Sequence, residues 1–299
     1  VANLQVRVFG KLRLQAGQCR VETFPTRRAE ELLAYLLIHQ RDRHSREKLV
    51  DTLWPDSPLS NGRASLSTTL WRLRSVFDRL DVPVADYLQT SRDWVSLAPS
   101  SALESDYSSF EREVLAAERA IDEEQRQRRL RLAIDLYRGP FCEGIYAEWC
   151  LRERERLERL YLRALGQLMA GLMRQERYEE AIGAGKAILD NDPLREEVHR
   201  ALMRCYWKLD QRAAAAQQFQ ICARLLQAEL QVLPMPETIA LYRCIVEERL
   251  DALAPAHAGL QEMQLRAAFE NFLDAAQQLD AALEAARIPQ KEPSPSAAD

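Results

Sequence analysis

Seven side chains in the first hundred residues have the types and spacing to read a nucleic acid. Arg63, Ser67, Thr68, Trp71, Arg72 and Arg74 lie within NGRASLSTTLWRLRSVFDRL, residues 61–80, and Arg92 sits in the short SRD segment at 91–93. A guanidinium can donate two parallel hydrogen bonds to guanine, and Ser or Thr can reach bases or phosphates. Leu66, Leu70, Leu73 and Phe77 recur at i, i+4, i+7 and i+11, which predicts one apolar stripe on a helix spanning Asn61–Arg79. Arg63, Ser67, Thr68, Trp71, Arg72, Ser75 and Arg79 are left for its other faces. Within that helix Arg63, Arg72, Arg74 and Arg79 are opposed only by Asp78. Gly62 and Ser65, near its start, are small enough to let the backbone approach a phosphate, where the helix dipole would help. The same residues also fit an ordinary helix with a solvated basic face, and Arg92 an exposed turn arginine.

No other constellation points to chemistry. Cys19, Cys142, Cys150, Cys205, Cys222 and Cys244 are scattered, with no CxxC pair and no clustered histidine. That pattern argues against a zinc site and against a disulfide scaffold, so no metal is expected. His199 stands beside Glu196 and Glu197 and reads as a surface or packing histidine, since a lone His makes no metal site. There is no nucleophile elbow and no GxxxxGK[ST] phosphate loop. Neither enzyme activity nor a cofactor is expected.

The elements around the candidate helix give it a context. LQVRVF (4–9), KLRLQ (11–15) and QCRVETF (18–24) alternate with period two and are punctuated by Gly10 and Gly17, as short antiparallel strands do. Behind Thr26, a candidate N-cap, Leu32, Leu33, Leu36 and Leu37 take helical spacing. A second short helix follows Ser45 and stops at Pro55, and DSPLSNG (56–62) reads as a loop. After the basic helix, YLQT (87–90) and WVSL (94–97) form a hairpin. Small sheet, three helices and hairpin is the order of a winged helix-turn-helix.

Beyond Pro99 the period is helical almost throughout: Ser105–Glu118, Glu124–Tyr137 and Trp149–Arg174, with a break at Arg138-Gly139-Pro140. Shifting the sequence by 34 places Leu168-Met169 on Leu202-Met203, Leu172 on Tyr206 and Ala181 on Ala215. That offset is the tetratricopeptide period, each unit being two antiparallel helices. Trp149, Tyr161, Tyr178, Tyr206, Trp207 and Phe219 read mainly as core at this spacing; some could line a concave face for a peptide or small-molecule effector. Glu237–Leu253 reads as a further helix, Leu260–Ala286 as an amphipathic segment and 289–299 as a disordered tail.

Charge divides along the same line. Residues 1–99 hold 15 Lys/Arg against 11 Asp/Glu, whereas the rest hold 26 against 34, so the overall −4 conceals a basic head on an acidic body. No apolar run approaches the roughly 20 residues of a membrane helix. VANLQVRVFGKLRLQ alternates, unlike the unbroken apolar core of a signal peptide, so a cytoplasmic protein with no membrane partner is expected.

Residues 4–98 resemble the DNA-binding domain of response regulators of the OmpR type. Residues 4–250 resemble the Streptomyces antibiotic regulatory protein family with its bacterial transcriptional activator domain. The motifs are VRVFGKLRL, RRAEELLAYLLIHQ, REKLVDTLWPD, RASLSTTLWRLRSVF, YRGPFCEG, WCLRERERL, DPLREEVHRALMRCYWKLDQRAAAAQQFQICARLLQAEL and LPMPETIALY. The resemblance implies an activator that binds tandem direct repeats in double-stranded DNA near a promoter and engages RNA polymerase. By the same resemblance DNA contacts fall on Arg63, Ser67, Thr68, Trp71, Arg72 and Arg92. Trp71 is bulky where the family has a small residue. Larger relatives append an ATPase module, whose phosphate loop this chain lacks.

The expected architecture is an α+β N-terminal winged helix-turn-helix at 1–99 and an all-α tetratricopeptide-like domain at 100–253. A helical extension at 254–288 and the tail at 289–299 follow. The reading leaves room for a homodimer, for a tetratricopeptide adaptor whose head no longer reads DNA, and for an effector-gated regulator.

Overall fold

The computed structural model describes residues 3–40, 42–98 and 103–247, the side chain of Leu59 apart. The expected segments at 254–288 and 289–299, and the helix beyond 247, lie outside them. Residues 1–243 form one unit; of a second, 244–299, only the first four residues are described.

Three short strands open the chain: β1 (Leu4–Arg7), β2 (Arg13–Ala16) and β3 (Cys19–Val21), paired antiparallel with Val6 opposite Leu14 and Leu14 opposite Val21. Alternation puts Leu4, Val6, Leu14 and Val21 on the buried face. The strands are shorter than the alternating runs that announced them; 22–24 lies outside the sheet. Helix α1 (Arg27–Ile38) starts where Thr26 caps it, its Oγ1 accepting the Ala29 N–H at 3.3 Å. Strand β4 (His44–Ser45) leads into α2 (Arg46–Leu53), capped by Ser45. Helix α3 (Leu59–Arg79) and the hairpin β5 (Leu88–Thr90) with β6 (Trp94–Leu97) complete the head. The segment 56–62 is a loop only as far as Pro58: with Pro58 at the N-cap, α3 takes up the remaining residues.

Two pairings had no signature in the sequence. β4 joins the hairpin as a third strand, in the order β4-β6-β5, with His44 opposite Val95. Strand β7 (Leu103–Ser105) pairs parallel with β1, giving the order β3-β2-β1-β7. A parallel pair needs a long crossover, and here the whole winged helix is that crossover. Asp106, which opens α4 (Asp106–Glu118), locks the junction: its carboxylate accepts the Val8 N–H at 2.8 Å and the Phe9 N–H at 3.3 Å. Burial pushes its pKa up, and those backbone donors together with nearby Arg7 pull it back.

The YRGPFCEG and WCLRERERL stretches reinforce that seam. Cys142 N–H donates to the Val8 carbonyl at 2.7 Å and Gly10 N–H to the Pro140 carbonyl at 2.9 Å. Arg154, on α6 (Glu148–Arg174), donates to the carbonyls of Phe141, Cys142 and Ile145 at 3.0–3.1 Å. One hydrophobic cluster therefore runs from Leu4 through Phe77 and Phe110 to Leu157.

Helix α5 (Glu123–Leu136) pairs with α4 and leads to α6, α7 (Tyr178–Asn191), α8 (Glu196–Lys208), α9 (Arg212–Leu230) and α10 (Pro236–Glu247). The 34-residue period is written into the backbone. Glu176 and Asp210 hold left-handed φ values of 58° and 59°. Arg177 N–H bonds the Leu172 carbonyl, and Gln211 N–H the Tyr206 carbonyl, each at 2.9 Å. Leu168, Met169, Leu202 and Met203 are all buried, as are Ala181 and Ala215. Of the aromatic residues expected in this core, Phe219 is buried and Trp149, Tyr161, Tyr178, Tyr206 and Trp207 are half-buried. His199 is fully inside: Nε2–H donates to the Pro193 carbonyl at 2.9 Å and Nδ1 accepts from Gln218 at 2.6 Å. No helix of the described residues is long and apolar enough to cross a membrane.

Candidate nucleic-acid interface

Helix α3 divides into two faces. Leu66, Leu70, Leu73 and Phe77 are buried as the stripe requires, joined by Thr69 and Val76. Burying each large apolar side chain contributes roughly 1.5–3 kcal/mol, so this face fixes the helix's rotation about its axis. On the opposite face Arg63, Ala64, Ser67, Thr68, Trp71 and Arg74 are exposed at i, i+3 and i+4 spacing and form one continuous strip. Arg72 and Ser75 flank it, half-buried.

The individual side chains are held in particular ways. Ser67 Oγ donates to the Arg63 carbonyl at 3.0 Å and Thr68 Oγ1 to the Ala64 carbonyl at 3.1 Å. Arg63 pairs with Glu47 of α2 at 2.5 Å, a neutralising partner that the α3 sequence alone does not show. Both are more than half exposed, so the pair contributes little and can be exchanged for another anion. Arg79 reaches the Thr23 carbonyl at 3.1 Å.

Arg74 ties the helix to the hairpin by donating to Thr90 Oγ1 at 2.8 Å. The hairpin turn is braced from α2: Arg46 Nε donates to the Ser91 carbonyl at 3.1 Å, and Arg46 N–H to the Asp93 carbonyl at 3.0 Å. Ser91 Oγ accepts the N–H groups of Asp93 and Trp94 at 3.1 and 3.0 Å. Arg92 projects, exposed, from this braced turn. The fold thus connects the α3 strip to the hairpin carrying Arg92 through Arg74, a link that neither segment reveals alone.

Gly62 has a role other than the one its position suggests. It is buried, and a Cβ there would lie 2.2 Å from Val50 Cγ1. Its small size lets α3 cross α2 closely; it does not open the backbone to a phosphate. The α2–α3 angle, and with it the direction in which the strip faces, depends on this contact.

Behind the hairpin lies an aromatic cluster. His39 and His44 rings stand 4.7 and 5.3 Å from Tyr35, which also meets Trp149 of α6 edge-on at 5.3 Å. His44 is 1% exposed, its Nε2–H faces the His39 carbonyl at 3.5 Å, and among the described residues its Nδ1 has no partner. Burial lowers the pKa of both imidazoles, and Lys48 adds to the effect. The four buried cysteines run the other way: burial pushes Cys150 and Cys205 up to about 11, Cys222 to about 12 and Cys142 well above its ordinary value. They are inert thiols. Among the described residues no group of His, Cys, Asp and Glu could hold a metal ion.

Residues 105–246 match the family described as bacterial transcriptional activator domain. The chain is 28% identical over 263 residues to the regulatory protein AfsR of Streptomyces coelicolor, covering 87% of this chain and 26% of that protein. It is 27% identical over 279 residues to AfsR of Streptomyces griseus, covering 90% and 28%. It therefore spans about a quarter of the length of these curated relatives. The fold resembles that of Mycobacterium tuberculosis EmbR, solved in complex with a low-affinity phosphopeptide, with a TM-score of 0.67 at 21% identity over 92% of this chain and 72% of that one. Residues 105–246 thus match a bacterial transcriptional activator domain behind a winged head, and the chain as a whole resembles transcription regulators of the Streptomyces antibiotic regulatory protein type.

Proposed function

We propose that the chain regulates transcription by binding double-stranded DNA sequence-specifically through α3 and the β5–β6 hairpin, as an activator that sits on tandem direct repeats at promoters and engages RNA polymerase. The observation that carries the DNA reading is the exposed α3 strip joined by Arg74 to a hairpin with Arg92 at its braced tip. In this arrangement the helix enters a major groove and Arg92 lies against the adjacent minor groove, where narrow A·T segments attract arginine. Arg63, Arg72 and Arg74 contribute positive charge along the helix, with Ser67, Thr68 and Trp71 between them. Repeat binding and polymerase contact rest on the family alone, and the 105–246 domain is the surface assigned to polymerase.

Fluorescence anisotropy with duplexes enriched from a random-sequence library tests the reading. The full chain should bind with a steep salt dependence and a clear sequence preference. Arg63→Ala and Arg72→Ala should each weaken binding by about 1–3 kcal/mol if they touch bases. Equal binding by the double variant and the parent would overturn the assignment of these residues. Neither salt slope nor preference in the parent would indicate an adaptor whose head has left DNA.

A further inference from the structure

We propose that Trp71 is a base-reading side chain of this surface and that it reads the C5-methyl group of thymine. The inference rests on the DNA-binding reading above and names what that site recognises.

Among the described residues 3–98, Trp71 is the one large hydrophobic side chain left exposed, at 67%. The head's other two tryptophans are covered: Arg28 lies 5.7 Å from the Trp54 ring centroid and Arg43 4.5 Å from that of Trp94. Among the described residues no arginine caps Trp71 in this way. It stands in the strip that the α3–hairpin geometry presents, so its exposure is confined to the surface expected to meet DNA.

The neighbours of Trp71 point to an apolar target. Ser67 and Thr68 have turned their hydroxyls back onto the carbonyls of Arg63 and Ala64, and the Thr68 and Ala64 methyls share the exposed face of α3 with Trp71 by helical spacing. The guanidiniums lie around this patch rather than in it. Arg63 is drawn to Glu47 on one side and Arg74 to Thr90 on the other. An apolar centre with a cationic rim fits a duplex whose phosphates meet the rim. In the major groove the one apolar group that base pairs present is the thymine methyl, for which alanine, threonine methyls and aromatic rings are the matching contacts. An indole edge lacks the paired donors and acceptors needed to identify guanine or adenine.

The test replaces thymidine by deoxyuridine, one position at a time, in duplexes enriched from the random library by the full chain. This deletes the methyl and leaves the Watson–Crick pair unchanged. At the contacted positions the parent should lose about four-fold in affinity for each methyl removed, the equivalent of one buried carbon. Trp71→Ala should bind the thymine and uracil duplexes equally while keeping the parent's salt slope, and Trp71→Phe should keep part of the discrimination. If the parent shows a salt slope and sequence preference but no loss with uracil at any position, the methyl reading falls and DNA binding stands. If Trp71→Ala suffers the same uracil penalty as the parent, another residue reads the methyl and the proposal falls. A parent with no sequence preference would overturn both readings.

Discussion

Two of the glycine-dependent helix crossings among the described residues are built differently. At the α2–α3 crossing Gly62 faces Val50, a β-branched side chain that is fully buried and has little rotamer freedom. At the α7–α8 crossing of the repeat, Gly185 faces the ends of Leu202 and Met169, where an added Cβ would lie 2.8 and 2.9 Å from the nearest atoms. The first contact cannot yield without moving a helix; the second can yield by rotation of flexible side-chain ends. The head is therefore held in one geometry, as the proposed reading of a duplex requires. The repeat is held by many replaceable contacts. Rings stack inward in both regions, Tyr137 on Tyr161 and Phe219 on Tyr242 at 4.2 Å and Phe77 on Tyr87 at 6.0 Å, and Trp71 is the exposed exception on α3.

The largest effect that sharpens this contrast is expected from Phe77→Ala. Phe77 is fully buried and stacks with Tyr87 at 6.0 Å. Truncation should cost about 3–5 kcal/mol, measured by urea unfolding of the full chain, and DNA binding should fall with the folded fraction. Next comes Glu196→Ala in the repeat. Glu196 Oε1 accepts the Met235 N–H at 2.6 Å and Thr238 Oγ1–H at 2.5 Å, and lies 3.5 Å from Arg200. Leaving the buried Thr238 hydroxyl without this acceptor should cost about 1–3 kcal/mol. Amide exchange should accelerate first at 235–239, with the head unaffected.

Gly62→Ala against Gly185→Ala tests the comparison directly. Overpacking at Gly62 should cost about 1–3 kcal/mol and shift the α2–α3 angle, lowering DNA affinity as well as melting temperature. Alanine at Gly185 should cost less, because the helix propensity gained, roughly 1 kcal/mol, offsets the rearrangement of Leu202 and Met169. If Gly185→Ala proves the more damaging in thermal unfolding, the repeat is the rigid half and the comparison is inverted.

How much of this was legible in the sequence follows from what has a period. The cap at Thr26, the short helix after Ser45, the α3 stripe, the hairpin and the 34-residue repeat are local or periodic patterns, and the fold bears them out. The β1–β7 pairing joins Leu4 to Leu103 across the whole winged helix. A three-residue strand so distant in sequence leaves no repeat to detect. Gly62 was readable as small, but whether smallness serves a ligand or a packed neighbour depends on Val50, which only the fold brings to it. The Arg63–Glu47 pair is hidden for the same reason. The candidate DNA residues were visible as types and spacing, whereas Arg74 as the link to the hairpin was not.

A smaller effect is expected from acid, and it should separate the regions again. His39 and His44 in the head and His199 in the repeat all have pKa values lowered by burial from the ordinary 6.5. The unfolded chain takes up protons at these sites before the folded chain does. Their contribution is therefore fully present above pH 6.5 and is lost as pH falls toward the folded values. A protonated His199 would keep an acceptor at Pro193, and rotation of the Gln218 amide would offer a second. Protonated His44 would direct its Nδ1–H into an aromatic cluster where that atom has no partner. Between pH 7 and pH 5 amide exchange should thus rise earlier at 44–53 than at 196–208, and His44→Phe should blunt the change in the head. Simultaneous loosening of both would show that the unpartnered nitrogen is not what makes the head acid-sensitive.

The smallest expected effect on stability, from Trp71→Ala, bears most directly on the two faces of α3. Trp71 and Phe77 lie on one helix, and both are large aromatics, yet one is 67% exposed and the other fully buried. An exposed side chain away from packed partners usually changes stability by no more than about 0.5 kcal/mol. Urea unfolding of Trp71→Ala should therefore overlay the parent, while its discrimination between thymine and uracil duplexes disappears. That separation would assign the indole to recognition. A loss of several kcal/mol would instead mean that the ring packs against a part of the chain outside the described residues, and its exposure here would lose its meaning as a reading surface.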